Sequence, residues 1–364
     1  MPKKNGSVRM CVDYRKLNAI TKPDKYPLPR IDTALDALEG AQYFSLLDLR
    51  SGFYQIAMHP EDKEKTAFIV EFGLFQFTRL SMGLTNSASS FQRVLDRVLA
   101  PLKYNSCLVY IDDIVVFAKT FDEHLVKLRN VFKHLEEAGL VLQPPKCEFL
   151  LDEILYLGHV VGRDGQKPDE RKIASVKNFP TPLCLTDVRS FLGLCSYYRK
   201  FIPNFAITAK PLTDLTKKET SFNWQKEQQE AFEELKRKLI SYPVLAHYDP
   251  SRETQIRTDA CAYGIGAILL QKIDEDWHPI AYMSRLLKKS QLNYHISDKE
   301  CYAIVEAINK WRAYLDGIRF EVMTDHCSLC YLVTKKDLSP RLTSVLSTSL
   351  ASTTMMSTRC PDTL

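Results

Sequence analysis

Read for polarity alone, the chain divides into short stretches whose apolar positions recur with one of two periods. "VRMCVDYRKLN" (8–18) reads as a strand followed by a turn or short helix, and "TALDALEGAQYF" (33–44) has helical spacing that ends at Gly40. "FSLLDL" (44–49) is a short strand, followed by "SGFYQIAM" (51–58). "KTAFIVEFGLFQFTRL" (65–80) predicts a β-hairpin with Gly73 near its turn. "SASSFQRVLDRVLAPL" (87–102) predicts an amphipathic helix capped near Ser87 or Ser89. In "SCLVYIDDIVVFAK" (106–119) two β-rich runs flank a pair of aspartates, and "FDEHLVKLRNVFKHLEEAGL" (121–140) is a long amphipathic helix closed by Gly139.

From Gly165 to Tyr248 the chain is Pro-punctuated and helical in pattern, with Thr186 as the expected N-cap of "TDVRSFLGLCSYYRKFI" and a further helix at "KEQQEAFEELKRKLI". Beyond it, "TQIRTDACAYGIGAILLQ" and "WHPIAYMSRLL" read as strands, "SDKECYAIVEAINKWRAYL" as a helix and "IRFEVMTDH" as another strand. Helix and strand alternate without a regular βαβ rhythm, so the fold class expected is α+β, with a second α/β unit near the C-terminal end.

A length of 364 residues leaves room for two or three domains, and 45% hydrophobic with 26% charged residues is a globular composition. The net charge of +5 is unevenly placed: between Gly165 and His247, 14 Lys/Arg face 9 Asp/Glu, which accounts for the whole excess. A second basic cluster, Lys3, Lys4, Arg9, Arg15 and Lys16, opens the sequence, and together they favour a polyanionic partner. No apolar stretch approaches the roughly 18–20 residues of a membrane span, and "MPKKNGSVRM" lacks the apolar segment of a secretory signal, so no membrane partner and no secretion are expected. Ten scattered cysteines show no disulfide framework and read as reduced thiols of the cytosol or nucleus. "HCSLC" (326–330) holds one C-x-x-C without a second ligand pair at zinc spacing.

The chemistry concentrates in "LVYIDDIVVF" (108–117), where Asp112 and Asp113 interrupt an apolar, β-branched run. Two buried, unpaired carboxylates would cost several kcal/mol. A hairpin turn at "YIDD" would lift them to the sheet edge, where divalent cations are the strongest partners available. Asp48 ends another apolar strand, and if the two strands are neighbours Asp48 and Asp112 converge. Hard oxygen ligands of this kind suit Mg²⁺, and two ions could serve a phosphoryl transfer. On spacing alone, a capped surface hairpin explains the Asp-Asp pair equally well.

An ordered series of motifs goes further. "VRMCVDYRKLNAITKPDKYPLPRID", "FSLLDLRSGFYQI", "KTAFIVEFGLFQFTRLSMGLTNSASSFQR", "YIDDIVVF", "GLVLQPPKCEF", "YLGHVV", "KPDERKIASVKNFPTP" and "FLGLCSYYRKFIPNFA" resemble, in order, the polymerase region of gypsy-type LTR retrotransposon reverse transcriptases. The resemblance implies a right-hand polymerase of fingers, palm and thumb followed by a ribonuclease H-like domain. It implies the boundaries 1–164 for fingers and palm, 165–248 for thumb and connection, 249–340 for an incomplete ribonuclease H-like domain, and 341–364 for an aberrant, disordered tail. The activity implied is RNA-directed DNA polymerisation on an RNA or DNA template with primer, using dNTPs. Asp48 and Asp112 would hold two Mg²⁺ (Mn²⁺ as an alternative), with Asp113 as a more peripheral ligand and Lys146 as the proton donor to pyrophosphate. Lys3, Lys4 and Arg9 would grip the triphosphate. Phe53 would exclude a ribose 2′-hydroxyl, and Met82 and Tyr110 would border the incoming nucleotide. Tyr156, Leu157 and Gly158 would grip the primer, and Tyr198 and Arg199 would face the duplex from the thumb. That helix also has a packing reading, through Phe191, Leu194, Tyr198 and Ile202, on its opposite face. Ser81 and Met82 stand where the family usually has Pro and Phe, and Pro145 replaces a frequent lysine.

In the last third, Asp259, Glu300 and Asp325 lie in contexts that resemble the metal ligands of retroviral-type ribonuclease H, which cuts the RNA strand of an RNA–DNA hybrid with a water nucleophile. The fold's fourth acid is not in its expected surroundings: the Ser/Thr-rich tail contains only Asp362, and its wording suggests a frameshift near Thr343. The rival expectation is therefore a decayed or co-opted element product that binds nucleic acid without catalysis. The resemblance also implies a piece of a longer polyprotein, located in a cytoplasmic retroelement particle and in the nucleus. No oligomeric state follows from the sequence.

Overall fold

A run of β-branched and aromatic residues between two helices dictates the first half. "CLVY" and "DIVVFA" form strands that place apolar side chains on both faces, so no polar alternation is seen. The structure is a computed structural model, and it describes residues 10–218 and 220–324 and the backbone of a strand at Met356–Arg359. It divides into two compact units: Met1–Leu157 with Val161–Arg163, and Gly158–Val160 with Asp164–Leu364.

In the first unit, β1 (Tyr43–Asp48), β2 (Cys107–Tyr110), β3 (Asp113–Ala118) and β4 (Glu148–Leu151) form an antiparallel sheet in the order β2-β3-β1-β4. The register of β1 on β3 runs without a break from Tyr43↔Ala118 to Asp48↔Asp113. Ile114 and Val116 of β3 join a core with Leu47, Phe91, Leu95 and Val131, whereas Val115 and Phe117 join a second core with Leu35, Phe44 and Tyr156. Burial on both faces is why β3 is continuously apolar. Helix α1 (Ser87–Val98) supplies Phe91 and Leu95 to the first core, and α2 (Phe121–Glu137) supplies Leu128, Val131 and Leu135. Thr120 caps α2 by accepting from Glu123 N, and Gly139 follows it at φ +67°, a left-handed conformation that glycine adopts at no steric cost.

Several local expectations change. Residues 10–14 form no strand, and the chain enters a short helix at Arg15–Ile20. The N-cap of α1 is Asn86, because Ser87 Oγ instead donates to Ser81 O at 2.6 Å and Ser89 Oγ donates to Asn86 O. The expected hairpin is present as Phe68–Val70 paired with Gly73–Phe75.

In the second unit, short helices and α3 (Leu185–Tyr197) and α4 (Lys226–Ile240) enclose a core of Phe191, Cys195, Tyr198, Phe201, Phe232 and Leu235. Cys184, not Thr186, is the N-cap of α3: the helix starts one residue before Thr186, and Asp187 reaches back to accept from Leu183 N and Cys184 N. Five strands follow as β5 (Thr254–Ala260), β6 (Gly264–Ile273), β7 (Asp276–Leu286), β8 (Phe320–Met323) and β9 (Met356–Arg359), in the order β7-β6-β5-β8-β9. β5–β8 and β8–β9 are parallel and the rest antiparallel. Helix α5 (Ile296–Lys310) covers the sheet with Cys301, Ile304, Val305 and Ile308.

Of the tail, only the backbone of strand β9 is among the described residues. Met356–Arg359 pairs with Phe320–Met323, because β8 would otherwise leave a row of backbone donors and acceptors unpaired on its outer edge. The architecture is α+β, as the sequence pattern implied. Among the described residues, no helix is long and apolar enough to cross a membrane.

Candidate active sites

Asp48 closes β1 and Asp113 opens β3 directly opposite it. Between Tyr110 and Asp113 the hairpin turns through Ile111, at φ +53°, and Asp112. The three acids thus lie at the same end of the central strands, as a turn at "YIDD" requires. Asp112 Oδ1 is buried and has no hydrogen-bond partner among the described residues. Desolvation first, then the like charges of Asp113 and Asp48, raise the Asp112 carboxyl above the ordinary carboxylate range. Asp113 is raised by desolvation and then by Asp48, although its side chain keeps solvent access at the sheet end. Among the described residues, Lys146 is the countercharge that lowers Asp112 and Asp113; its Nζ lies 3.2 and 3.3 Å from the two Asp48 oxygens.

The chain after Asp48 is built to approach this cluster. Ser51 takes a left-handed turn at φ +53°, and Gly52 then passes so close that a Cβ built on it would lie 2.7 Å from Asp112 Oδ1 and 3.1 Å from Phe91 Cζ. Phe53 follows, half-buried, with its ring edge-on to Phe91 at 5.3 Å between centroids. Met82 and Tyr110 are half-buried. The loop after Met82 is clamped from the N-terminal side: Asn18 Nδ2 donates to Gly83 O at 2.8 Å and Asn18 Oδ1 accepts from Thr85 N at 2.9 Å.

The second acidic group lies on the other sheet. Asp259 is exposed on β5, opposite Gly266 of β6. Glu300 of α5 is 3% exposed, and its Oε1 accepts from Ala260 N at 3.0 Å, which anchors the carboxylate beside the Asp259 backbone. Lys299 is buried with Nζ donating to Ala262 O at 3.0 Å.

Residues 1–161 match the family described as reverse transcriptase (RNA-dependent DNA polymerase), and residues 224–322 match the RNase H-like domain found in reverse transcriptase. Over 335 residues the chain is 43% identical to the retrovirus-related Pol polyprotein from transposon 297 of Drosophila melanogaster, covering 92% of this chain and 31% of that one. The chain belongs to the reverse transcriptases of retrotransposon Pol polyproteins. The chain is also 38% identical, over 351 residues, to the retrovirus-related Pol polyprotein from transposon gypsy of the same organism, covering 93% of this chain and 34% of that one. It thus spans about a third of the length of these relatives. Its structure is similar, with a TM-score of 0.76 and 27% identity, to that of the foamy viral protease-reverse transcriptase in complex with RNA/DNA hybrid, over all of this chain and 49% of that one.

Reverse transcriptases and RNase H-like domains generally use divalent metals. The first site fits such ions by its chemistry: carboxylate oxygens, raised carboxyls and a buried Asp112 oxygen without a donor. Among the described residues, no three His, Cys, Asp or Glu side chains already converge into a cage, and Asp48 faces Lys146 instead.

Two of the expected substrate contacts, Tyr198 and Tyr156, are buried side chains. Tyr198 is 1% exposed, and its hydroxyl donates to Gly158 O at 2.7 Å; its place is the core, because α3 turns its apolar stripe inward there. Arg199 remains exposed, while its Nη2 donates to Ser284 O at 3.0 Å and its guanidinium lies over the Phe205 ring. Tyr156 is 2% exposed within the second core of the sheet and does not stand at a primer-facing surface. Leu157 and Gly158, at φ +47° and +71°, form the turn that follows it. Lys3, Lys4, Arg9, Asp325, Asp362 and the "HCSLC" stretch lie outside the described residues. The sequence reading missed Gly52, although Ser-Gly directly after the first acidic strand is a signal of close backbone approach. It also missed Asn18, whose only signal was an amide three residues past the tyrosine-arginine pair of "DYRKLN".

Proposed function

We propose that this chain extends a primer with dNTPs on an RNA or DNA template, and that its second unit carries a ribonuclease H-like site for RNA–DNA hybrids. The observation that carries the reading is the register pair Asp48↔Asp113 with the partnerless, buried Asp112 oxygen beside it. Asp48 and Asp112 would hold two Mg²⁺, or Mn²⁺, and Asp113 would support them from the periphery. Bound there, the ions would supply charge neutralisation for the primer hydroxyl and the triphosphate. The protein's part is positioning: β1 and the turned β2–β3 hairpin fix the acids, and Phe53 would present its ring to the sugar and so exclude a ribose. Lys146, which is bonded to Asp48, would pass its proton to the pyrophosphate. Residues 1–164 would bind nucleotide and primer terminus, 165–248 would hold the duplex by backbone and shape, and 249–340 would bear Asp259, Glu300 and Asp325.

Purified protein should extend a labelled primer on both templates in Mg²⁺, with extension lost in Asp112→Asn and hybrid affinity kept. Hybrid binding without any extension by the unmutated chain would instead establish a binding protein without catalysis.

A further inference from the structure

The side chain of Gln92 is fully buried in α1, facing the β2–β3 hairpin, and both of its polar atoms are hydrogen-bonded. Its Oε1 accepts from Ile111 N at 2.6 Å. Its Nε2 donates to Val109 O at 3.2 Å and to Asp96 Oδ1 at 2.9 Å. Asp96 is held in turn by Tyr26 Oη at 2.8 Å and Lys103 Nζ at 2.6 Å. The amide can therefore point only one way: its NH₂ faces two acceptors, which leaves the oxygen for the Ile111 N–H.

Ile111 needs such a holder. It is β-branched, yet stands at φ +53°, where an L-residue pays roughly 1–2 kcal/mol and a β-branched one is an outlier. Asp112 is the next residue, and its carboxylate direction follows from the Ile111 backbone. A relaxed Ile111 would swing that carboxylate out of line with Asp48.

We infer that Gln92 is a positioning residue for Asp112: its buried amide pins the left-handed Ile111 and so fixes the acid at the hairpin turn. This rests on the reading that Asp112 serves nucleotidyl transfer. The pinning itself is measurable without that reading.

The test uses the full chain with Gln92→Met, which keeps the volume and removes the donors and acceptor. Hydrogen–deuterium exchange over 107–118 should quicken by about tenfold at the turn, the equivalent of one lost hydrogen bond, with the α2 amides unchanged. In primer extension, kcat should fall on the order of 10²-fold while dNTP KM and template–primer Kd stay within about threefold. Ile111→Gly, which adopts φ > 0 without penalty, should restore about tenfold of kcat in the Gln92→Met background. The inference is overturned if turn exchange is unchanged, if kcat stays within about threefold, or if Ile111→Gly restores nothing. If the unmutated chain does not extend primers, the polymerase reading fails on its own, and the exchange result alone decides the pinning.

Discussion

Gly52→Ala puts the proposed chemistry under the sharpest strain. The added methyl would sit 2.7 Å from Asp112 Oδ1 and 3.1 Å from Phe91 Cζ, whereas ordinary contact begins at 3.4 Å. Phe91 is fully buried between α1 and the sheet and has little room to give. The carboxylate must therefore retreat by about 0.7 Å, or the Ser51–Gly52 backbone must lift away. Displacements of about 1 Å at a reacting centre cost on the order of 10²-fold in rate. Overpacking costs about 1–3 kcal/mol in stability, offset by about 0.4–1 kcal/mol because alanine restricts the unfolded chain. The expected outcome is a protein that still folds, with a melting point a few degrees lower, and single-turnover primer extension slowed by about two orders of magnitude. Gly193→Ala is the control: nothing lies within 4 Å of its Cβ on α3, so the helix should gain about 0.5–1 kcal/mol. Extension by Gly52→Ala within about threefold of the parent would refute the close approach of Gly52 to a working Asp112.

Asp112→Asn should abolish extension yet raise the melting point of the metal-free protein. The folded-state carboxyl is raised, so the penalty of its charge is fully present above that folded value and disappears as pH falls through it; the gain from Asn should therefore shrink toward acid pH in a melting series. His124 is fully buried with Nε2 2.7 Å from Ser45 Oγ, and burial, then the Lys127 charge, holds its imidazolium form below the ordinary range. Its contribution is intact above about pH 6.5 and is lost as the unfolded chain takes up a proton below that, so His124→Asn, though less stable overall, should show a flatter melting-point slope between about pH 7 and 5. Tyr198→Phe should cost about 1–2 kcal/mol by chemical denaturation, from the lost bond to Gly158 O, and leave hybrid affinity unchanged; a selective loss of affinity would return this ring to the nucleic-acid surface.

What the sequence made legible follows physical period and context. "CLVY" and "IVVFA" read as buried strands, so the Asp-Asp pair between them read as a turn; that Asp48 stands opposite Asp113 follows only from the observed register. Amphipathic spacing located α1, α2, α4 and α5. The cap residues were less legible, because Ser87, Ser89 and Thr186 compete with nearby backbone acceptors and donors that only the tertiary arrangement reveals. Tyr198 looked amphipathic beside Arg199 and Lys200, but helical phase turns its ring inward, and Gly158 O completes its burial. Gly52 and Gln92 act through distances across the chain, from Gly52 to Asp112 and from Gln92 to Ile111, which no local pattern encodes.

The unbroken ladder between β1 and β3 makes this site intolerant of changes in chain length. Side chains alternate along a strand, so a single codon gained or lost between Tyr43 and Asp48 would either turn the terminal acid to the opposite face or carry it past its partner. In a lineage of drifting copies, small insertions should therefore survive in the surface connections but silence any copy that carries one within these six positions.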